Sequence, residues 1–269
     1  MIAVDPVDLR SYDLILVNTS GGKDSALAAW YIRQLAEPLG VLDRVLLVHA
    51  TFPEEWPGTV ELVRRQAAAL GLPIEVVSRG EALLDYVIRR RKWPGLTRQA
   101  RYCTSDFKRA PVDRVITART PRRRWQLRPW RVLSIMGIRA DESRERANKR
   151  PFQERIRPGQ ITNGVSTVDE WYPLFHLSTG NVWRLIREIG LEMHPAYEQG
   201  MPWLSCRFCI FAPRGALIRA GHLHRELLEK YAAVEREIGH SFKRDLKIAE
   251  ILEAVERGEN PSVVTAWEM

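Results

Sequence analysis

Only three of the 269 residues are cysteine: Cys103, Cys206 and Cys209. So small and odd a number excludes a disulfide framework as the source of stability. The thiols are left for metal binding, for covalent chemistry or for inert burial. No apolar run approaches the roughly 20 residues that cross a bilayer as a helix. The segment MIAVDPVDLR holds two aspartates and no long apolar core, so it does not read as a secretory leader. The expected setting is cytoplasmic, with no membrane partner. A G-x-x-x-x-G-K-[ST] run is missing, which excludes the Walker loop and its attack at a terminal phosphate. Internal repeats and low-complexity tracts are absent too, which excludes solenoids and arrays.

What the chain does have is an excess of positive charge. Lys and Arg number 41 against 33 Asp and Glu, giving a net charge of +8. That balance points to a polyanionic partner. Hydrophobic residues make up 45% and charged residues 28%, a composition that supports a packed core. The length suits one large α/β domain, or one domain with a smaller one appended.

Short apolar runs alternate with amphipathic ones. Strands are predicted at 14–17, 44–52 (RVLLVHATF), 73–78 (PIEVVS) and 131–138 (RVLSIMGI), and helices at 25–35, 60–70 and Leu83–Arg90. This alternation predicts an α/β fold, a doubly wound parallel sheet covered on both faces. Residues 139–164 are charged and lack an apolar period, so they read as a long functional loop. A smaller, mainly helical section is predicted over 171–269, after a first domain over 1–170. Its helices lie at 181–189, where Ser178 or Thr179 serves as the cap, at 223–238 and at 246–255.

Between the first strand and the first helix stands Ser20-Gly21-Gly22-Lys23-Asp24-Ser25. In that setting backbone N–H groups cradle phosphate. Glycines let the main chain approach the anion, and the helix N-terminus adds unpaired donors and partial positive charge. Lys23 neutralises phosphate oxygens and Ser25 adds a hydroxyl. Asp24 is out of place in a pure anion nest; it reads as a cap, or as a carboxylate reaching phosphate through Mg2+. The alternative without chemistry is a tight turn with a chance lysine.

The six residues resemble the pyrophosphate loop of the ATP pyrophosphatases, enzymes in which the α-phosphate is attacked, AMP is transferred to a substrate oxygen and pyrophosphate leaves. Four further stretches extend the likeness: RYCTSDFKRAPVDRVI at 101–116, GIRADESRERA at 137–147, WYPLFHLSTGNVWRLI at 171–186 and HPAYEQGMPWLSCRFCIF at 194–211. In this order and spacing they resemble the phosphoadenosine-phosphosulfate reductase family over about three-quarters of the chain. The resemblance implies an adenine nucleotide alpha hydrolase-like fold and ATP as the nucleotide. Lys23 and Asp24 are then the catalytic pair, and Ser20, Gly21, Gly22, Ser25, Lys108 and Arg139 join them in holding the nucleotide. Glu142, Ser143 and Arg146 lie in the same family stretch as Arg139, although Glu142 and Arg146 also have the spacing of a helical ion pair. Thr51 ends the second strand, where such a sheet places its ligand crevice, so contact with the adenosine is expected there. The nearby His49 reads equally well as a satisfied core histidine.

The pattern departs from the sulfonucleotide reductases of that family. They carry a nucleophilic cysteine near the C-terminus, and residues 210–269 contain none. Their iron–sulfur members carry a Cys-Cys pair before Lys-x-x-Pro; here the run is Cys103-Thr104, then Lys108 and Pro111. Cys-Thr-x-x-x-Lys-x-x-Pro looks more like the ATP pyrophosphatase component of DNA phosphorothioation systems. That likeness implies a nucleic-acid acceptor, DNA first and transfer RNA second, with a cysteine desulfurase as sulfur donor. It also brings Cys103 near the lone C-x-x-C of Cys206 and Cys209. As metal ligands, the three would hold a [4Fe–4S] cluster with one iron left open. Zn2+ with His194 or His222 as a fourth ligand, a persulfide-carrying thiol, and inert burial stay open beside it.

Two basic segments remain. Residues 119–131 pack six arginines, Arg122, Arg123 and Arg124 among them, around Trp125 and Trp130, and Arg89-Arg90-Arg91-Lys92-Trp93 is a shorter version. Arginines with interleaved aromatics suit phosphate contact plus base stacking; a solvated face is the other reading. Three functions compete: ATP-dependent sulfur transfer to nucleic acid, sulfonucleotide reduction, and nucleotide binding without turnover. The oligomeric state stays open, a homodimer included.

Overall fold

The computed structural model describes residues 7–97, 99–121, 128–154 and 166–261. Among these, six strands form one sheet: β1 (Leu14–Asn18), β2 (Val45–Thr51), β3 (Ile74–Ser78), β4 (Trp130–Ile135), β5 (Phe152–Glu154) and β6 (Ser166–Trp171). Their order is β3-β2-β1-β4-β6-β5. β1 runs parallel to β2 and β4, and β4 to β6, while the three-residue β5 lies antiparallel on the edge. The order reverses at β1. From there β2 and β3 extend to one side, and β4 returns on the other.

The helices that follow are α1 (Lys23–Ala36), α2 (Thr59–Leu70), α3 (Leu83–Arg90), α4 (Ala110–Arg119), α5 (Thr179–Ile189), α6 (Arg214–Leu223), α7 (Arg225–Ile238) and α8 (Ile248–Glu256). Strand β1 explains why the sheet is covered twice. Its residues alternate faces, and both faces are apolar. Ile15 and Val17 pack with Leu27 and Ile32 of α1 and with Val182 and Ile186 of α5. Leu14 and Leu16 pack with Val112, Val115 and Ile116 of α4. The doubly wound α/β expectation therefore holds.

The chain divides into two interleaved compact units. One is Met1–Ala50, Gly58–Val77 and Pro111–His194, which contains the sheet except the last residues of β2 and β3; the other is Thr51–Pro57, Ser78–Ala110 and Pro195–Met269. The expected boundary at 170 falls inside β6, which pairs with β4 over six residues. A division there would cut the sheet. The second unit is mainly helical, and its core is aromatic: Trp93 stacks on Tyr231 with ring centroids 5.3 Å apart, and Phe242 meets Trp93 edge-on at 5.2 Å.

Several elements differ from the sequence expectation. Helix α1 starts at Lys23 instead of 25, because Gly22 takes the extended conformation of a cap and Asp24 sits favourably in the first turn of the helix dipole. Within 139–164, expected as loop, Arg144–Ala147 forms a helical turn and Phe152–Glu154 a strand. Strand β6 was hidden by its acidic residues. Asp169 accepts from Tyr12 Oη (2.7 Å) and Glu170 from Tyr172 Oη (2.8 Å), so both are tied into the fold. The helix expected over 223–238 begins at Arg225, because His224 leaves helical geometry and separates it from α6.

One charged contact fixes the start of β1. The Asp13 carboxylate accepts two bonds of 2.6 Å from the Arg128 guanidinium and one of 2.8 Å from the Arg131 N–H. Arg128 is foremost in holding the Asp13 carboxyl below its usual range, against the opposing effect of burial. The folded state thus favours the charged form. The stabilisation is complete above the unfolded aspartate value of about 3.9 and fades as pH falls through the lower folded value. Asp13→Asn is expected to remove about 1 kcal/mol at pH 7, discounted for the exposed arginine, and to flatten the acid limb of a urea midpoint against pH curve. An unchanged acid limb would place the acid sensitivity elsewhere.

Candidate active site

The loop after β1 lies at the sheet's reversal point, where α/β sheets open a ligand crevice. Thr19 N–H donates to the Val48 carbonyl (2.9 Å), which extends the β1–β2 ladder by one step. Gly21 then takes φ 72°, a left-handed conformation suited to glycine. Gly22 caps α1 without a side-chain hydrogen bond, so no hydroxyl or carboxylate covers the helix N-terminus from that position. Ser25 binds the loop to itself: its Oγ accepts from Ser20 N–H (3.0 Å) and donates to the Gly22 carbonyl (3.0 Å). The expected Ser25 hydroxyl donor is thus already engaged within the loop.

Asp24 lies between two cations. Lys23 Nζ is 3.0 Å from Oδ2, and Arg139 Nε donates to Oδ1 at 2.6 Å. Arg139 is only 1% exposed, and its other nitrogens are taken as well. Nη1 donates to the Leu177 carbonyl (3.0 Å) and Asp141 (3.2 Å), and Nη2 to Thr179 Oγ1 (3.0 Å). Burial pulls the Arg139 pKa down, but Asp24, Glu142 and Asp141 together hold it above the ordinary arginine value. Asp141 in turn accepts from the Thr179 N–H (2.8 Å), chief among the contacts that keep its carboxyl below the usual range. Arg139, expected on the nucleotide, is thus placed as a brace between the loop carboxylate and the start of α5. Glu142 accepts from the Arg139 backbone N–H (2.8 Å) and pairs with Arg146; Ser143 Oγ caps the turn by accepting from Arg146 N–H (3.2 Å). Asp24 already faces two cations, which disfavours a third such as Mg2+ at the same carboxylate.

Gly137 makes the brace possible, and sequence reasoning missed it. A Cβ there would sit 2.6 Å from the Asp24 carbonyl carbon and 2.8 Å from the Ser25 nitrogen. Only a residue without a side chain lets this strand end press against the first turn of α1.

The thiols belong to the second unit. Cys103 lies in the helical turn Tyr102–Thr104, followed by the π-helical turn Ser105–Arg109, which carries Lys108. Cys206 is pinned by a bridge to Glu55 and by Arg207 N–H donating to the Glu54 carbonyl (3.1 Å). Cys206 and Cys209 hydrogen-bond to each other, which pushes the Cys209 thiol down to about 6 against its burial; the Phe211 N–H, Lys108 and Ser205 add to the effect. The same bond, together with burial, drives Cys206 upward. Burial also raises Cys103, with a smaller push from the Cys209 charge. For Lys108, desolvation pulls down, but Cys206, Cys209, Cys103 and Glu55 together hold its pKa above the ordinary lysine value.

Cys103, Cys206 and Cys209 are therefore electrostatic neighbours around one lysine. Three thiols are a donor set that iron–sulfur clusters take. Among the described residues, however, no three Cys, His, Asp or Glu side chains are arranged as ligands of a single metal ion. His222 Nε2 instead pairs with the Glu259 carbonyl (2.7 Å). Lys108 faces the thiols and the Phe52 ring (5.8 Å). The Thr51 hydroxyl donates to Glu55. His49 is 2% exposed with its Nδ1 on the Thr19 carbonyl (3.0 Å). Arg122, Arg123, Arg124 and Trp125 lie outside the described residues. Glu54 was missed; 2% exposed, it caps α3 by accepting the Leu83 and Leu84 N–H groups (3.1 Å each).

Two outcomes follow. Gly137→Ala is expected to lower stability by about 1–3 kcal/mol through overpacking against the loop backbone, read as a denaturant midpoint; a neutral substitution would remove the close approach from the account. In metal-free protein at neutral pH, iodoacetamide is expected to label Cys209 before Cys206 or Cys103, because its thiolate dominates above about 6. Labelling of Cys209 that instead follows an ordinary thiol profile near 8.5 would contradict the asymmetry of the pair.

Residues 14–212 match the family described as the phosphoadenosine phosphosulfate reductase domain. An uncharacterized protein of Methanocaldococcus jannaschii is 24% identical over 226 residues, 83% of this chain and 48% of that protein. The chain thus spans about half the length of that curated relative. Among solved structures, the phosphoadenylyl-sulfate reductase of Candida auris in its phosphate complex has a TM-score of 0.47 at 14% identity, covering 74% of this chain and 83% of that one. The U34-tRNA thiolase of Methanococcus maripaludis with its [4Fe–4S] cluster has a TM-score of 0.46 at 12% identity, covering 94% of this chain and 75% of that one. With the family match spanning most of its length and the loop at the sheet's reversal point, the chain belongs to the phosphoadenosine phosphosulfate reductase family.

Proposed function

We propose that this chain is an ATP pyrophosphatase that activates an acceptor oxygen for sulfur transfer, in DNA phosphorothioate modification first and in transfer-RNA thiolation second. The observation that carries the reading is the Ser20–Ser25 loop at the β1–α1 junction, with Lys23 and Asp24 paired at 3.0 Å in the first turn of a helix whose N-cap, Gly22, offers no side-chain hydrogen bond. Such a terminus attracts phosphate. In the proposed reaction an acceptor oxygen attacks the α-phosphorus of ATP, the α–β bridge breaks and pyrophosphate leaves with the bonding electrons. The outer sulfur of a Cys209 persulfide then attacks the activated acceptor and AMP leaves with the bonding electrons; the Cys206 thiol cleaves the resulting S–S bond, which releases the thiolated product and leaves a Cys206–Cys209 disulfide for an external thiol reductant. Lys23 neutralises charge on the phosphates, and Asp24, clamped by Arg139, aims the Lys23 ammonium.

The thiol cluster supports the sulfur half. Cys209, with its lowered pKa, is suited to accept sulfur from a persulfide donor such as a cysteine desulfurase. If a [4Fe–4S] cluster is held, Cys103, Cys206 and Cys209 would hold it, and it would supply an open iron for inorganic sulfur. A second reading, reduction of an adenylyl sulfate, follows from the family; the absence of any cysteine over 210–269 speaks against it.

One incubation separates them. Release of AMP and pyrophosphate from ATP supports the first, and release of sulfite from an adenylyl sulfate the second. Lys23→Ala and Asp24→Asn are each expected to cut pyrophosphate release roughly 100-fold or more, with circular dichroism unchanged. Undiminished turnover in both variants would sink the proposal.

A further inference from the structure

The positive charge is concentrated. Residues 78–110 carry nine basic and three acidic side chains, a net +6 against +8 for the whole chain. All belong to the second unit. Four of the arginines lie on aromatic rings. The Arg79 guanidinium carbon is 4.3 Å from the Tyr86 centroid, with Arg89 at 4.6 Å from the same ring. Arg90 lies 4.8 Å from the Tyr102 ring, and Arg101 4.5 Å from that of Phe211. Glu81 is the acidic partner of both Arg79 (3.1 Å) and Arg89 (2.8 Å). Arg90 donates to the Tyr86 hydroxyl at 3.1 Å.

The helix dipole accounts for Arg89 and Arg90, which sit in the last turn of α3. It does not account for Arg79 and Arg101, which come from other segments: Arg79 settles on the Tyr86 and Phe107 rings, and Arg101 on Phe211. The stacking holds the guanidinium groups in place, so less entropy is lost when they meet an anion. The rings themselves are not open to bases. Tyr86 is 5% and Tyr102 8% exposed, and Trp93, expected to stack on a base, is 1% exposed against Tyr231. Such a surface grips phosphates without reading sequence. Its far end is close in the chain to the thiols: Tyr102 precedes Cys103, and Phe211 follows Cys209 by two residues.

We propose that this arginine ridge, Arg79, Arg89, Arg90 and Arg101, with the exposed Arg109 at the end of the turn that follows Cys103, docks the sugar–phosphate backbone of a nucleic acid and leads it toward the thiols. The inference rests on the sulfur-transfer reading for the identity of the anion and adds the surface that receives it. The test is fluorescence anisotropy with a labelled random-sequence DNA duplex, without ATP, over a series of salt concentrations. Each lost phosphate contact lowers the slope of log affinity against log salt by about 0.9. R89A/R90A is expected to reduce the slope by about 2 and the affinity roughly tenfold, whereas R184A/R225A, an equal loss of charge elsewhere, leaves both unchanged. R89K/R90K retains most of the slope, and should the alanine pair fail to fold, Arg109→Gln gives a loss of about 1. Three results would overturn the proposal: no duplex binding by the unaltered chain at low salt, equal slopes for the two double variants, or poly-glutamate binding as tight as DNA, which would mark an acidic protein partner. ATP turnover is assayed apart, so its absence would sink the pyrophosphatase reading and leave the ridge standing.

Discussion

Asp24 is the charge on which the loop depends. It sits in the first turn of α1 with Lys23 on one oxygen and Arg139 on the other. A carboxylate this withdrawn from water is costly unless paired, and removing one partner of a buried pair typically costs 3–5 kcal/mol. The rest of the first unit is arranged around that pairing. Gly137 gives up its side chain so that the strand end can approach. Asp141 and Thr179 hold the far end of the Arg139 guanidinium, and Ser25 closes the loop on Ser20. The result is a turn whose shape is fixed by the protein itself, so in the proposed phosphate-binding role little ordering remains to be done.

The second unit solves a different electrostatic problem. Three thiols and a carboxylate, Glu55, act on one lysine. The C-x-x-C pair divides its protons unequally: the bond between the two thiols pushes Cys209 down and Cys206 up, and the Phe211 N–H, Lys108 and Ser205 add to the drop at Cys209. One sulfur is thereby readied as a thiolate while its neighbour keeps a proton. Lys108 offsets negative charge on these sulfurs. The aromatic core beneath, with Phe208 packed 5.1 Å from Tyr231, keeps the turn that presents Cys209 in one shape.

Much of the fold was legible because it rests on local signals. The apolar runs at β1 and β2 and the Gly-Gly turn before Lys23 announce strand, turn and helix from their own residues. What stayed hidden depends on partners far along the chain. Strand β6 reads as charged until Tyr12, 157 residues away, is seen to bind Asp169. Nothing near Arg139 in the sequence signals that it is 1% exposed; its burial comes from Asp24, Leu177 and Thr179. Trp93 follows four basic residues and reads as a stacking platform, yet it fills the core against Tyr231. Glu54 caps a helix 29 residues on, a link no spacing rule anticipates. The approach of Cys103 to the C-x-x-C pair came from family likeness alone, since spacing cannot join residues about a hundred apart.

The central claim is that the loop presents the α-phosphorus of ATP to attack, with pyrophosphate as the leaving group. Turnover in water enriched in heavy oxygen tests it directly, since in the absence of an acceptor water takes the place of the attacking oxygen. Mass spectrometry of the products then locates the broken bond. The account predicts label in AMP and none in the pyrophosphate. Label in inorganic phosphate or pyrophosphate, with unlabelled nucleotide product, would contradict it.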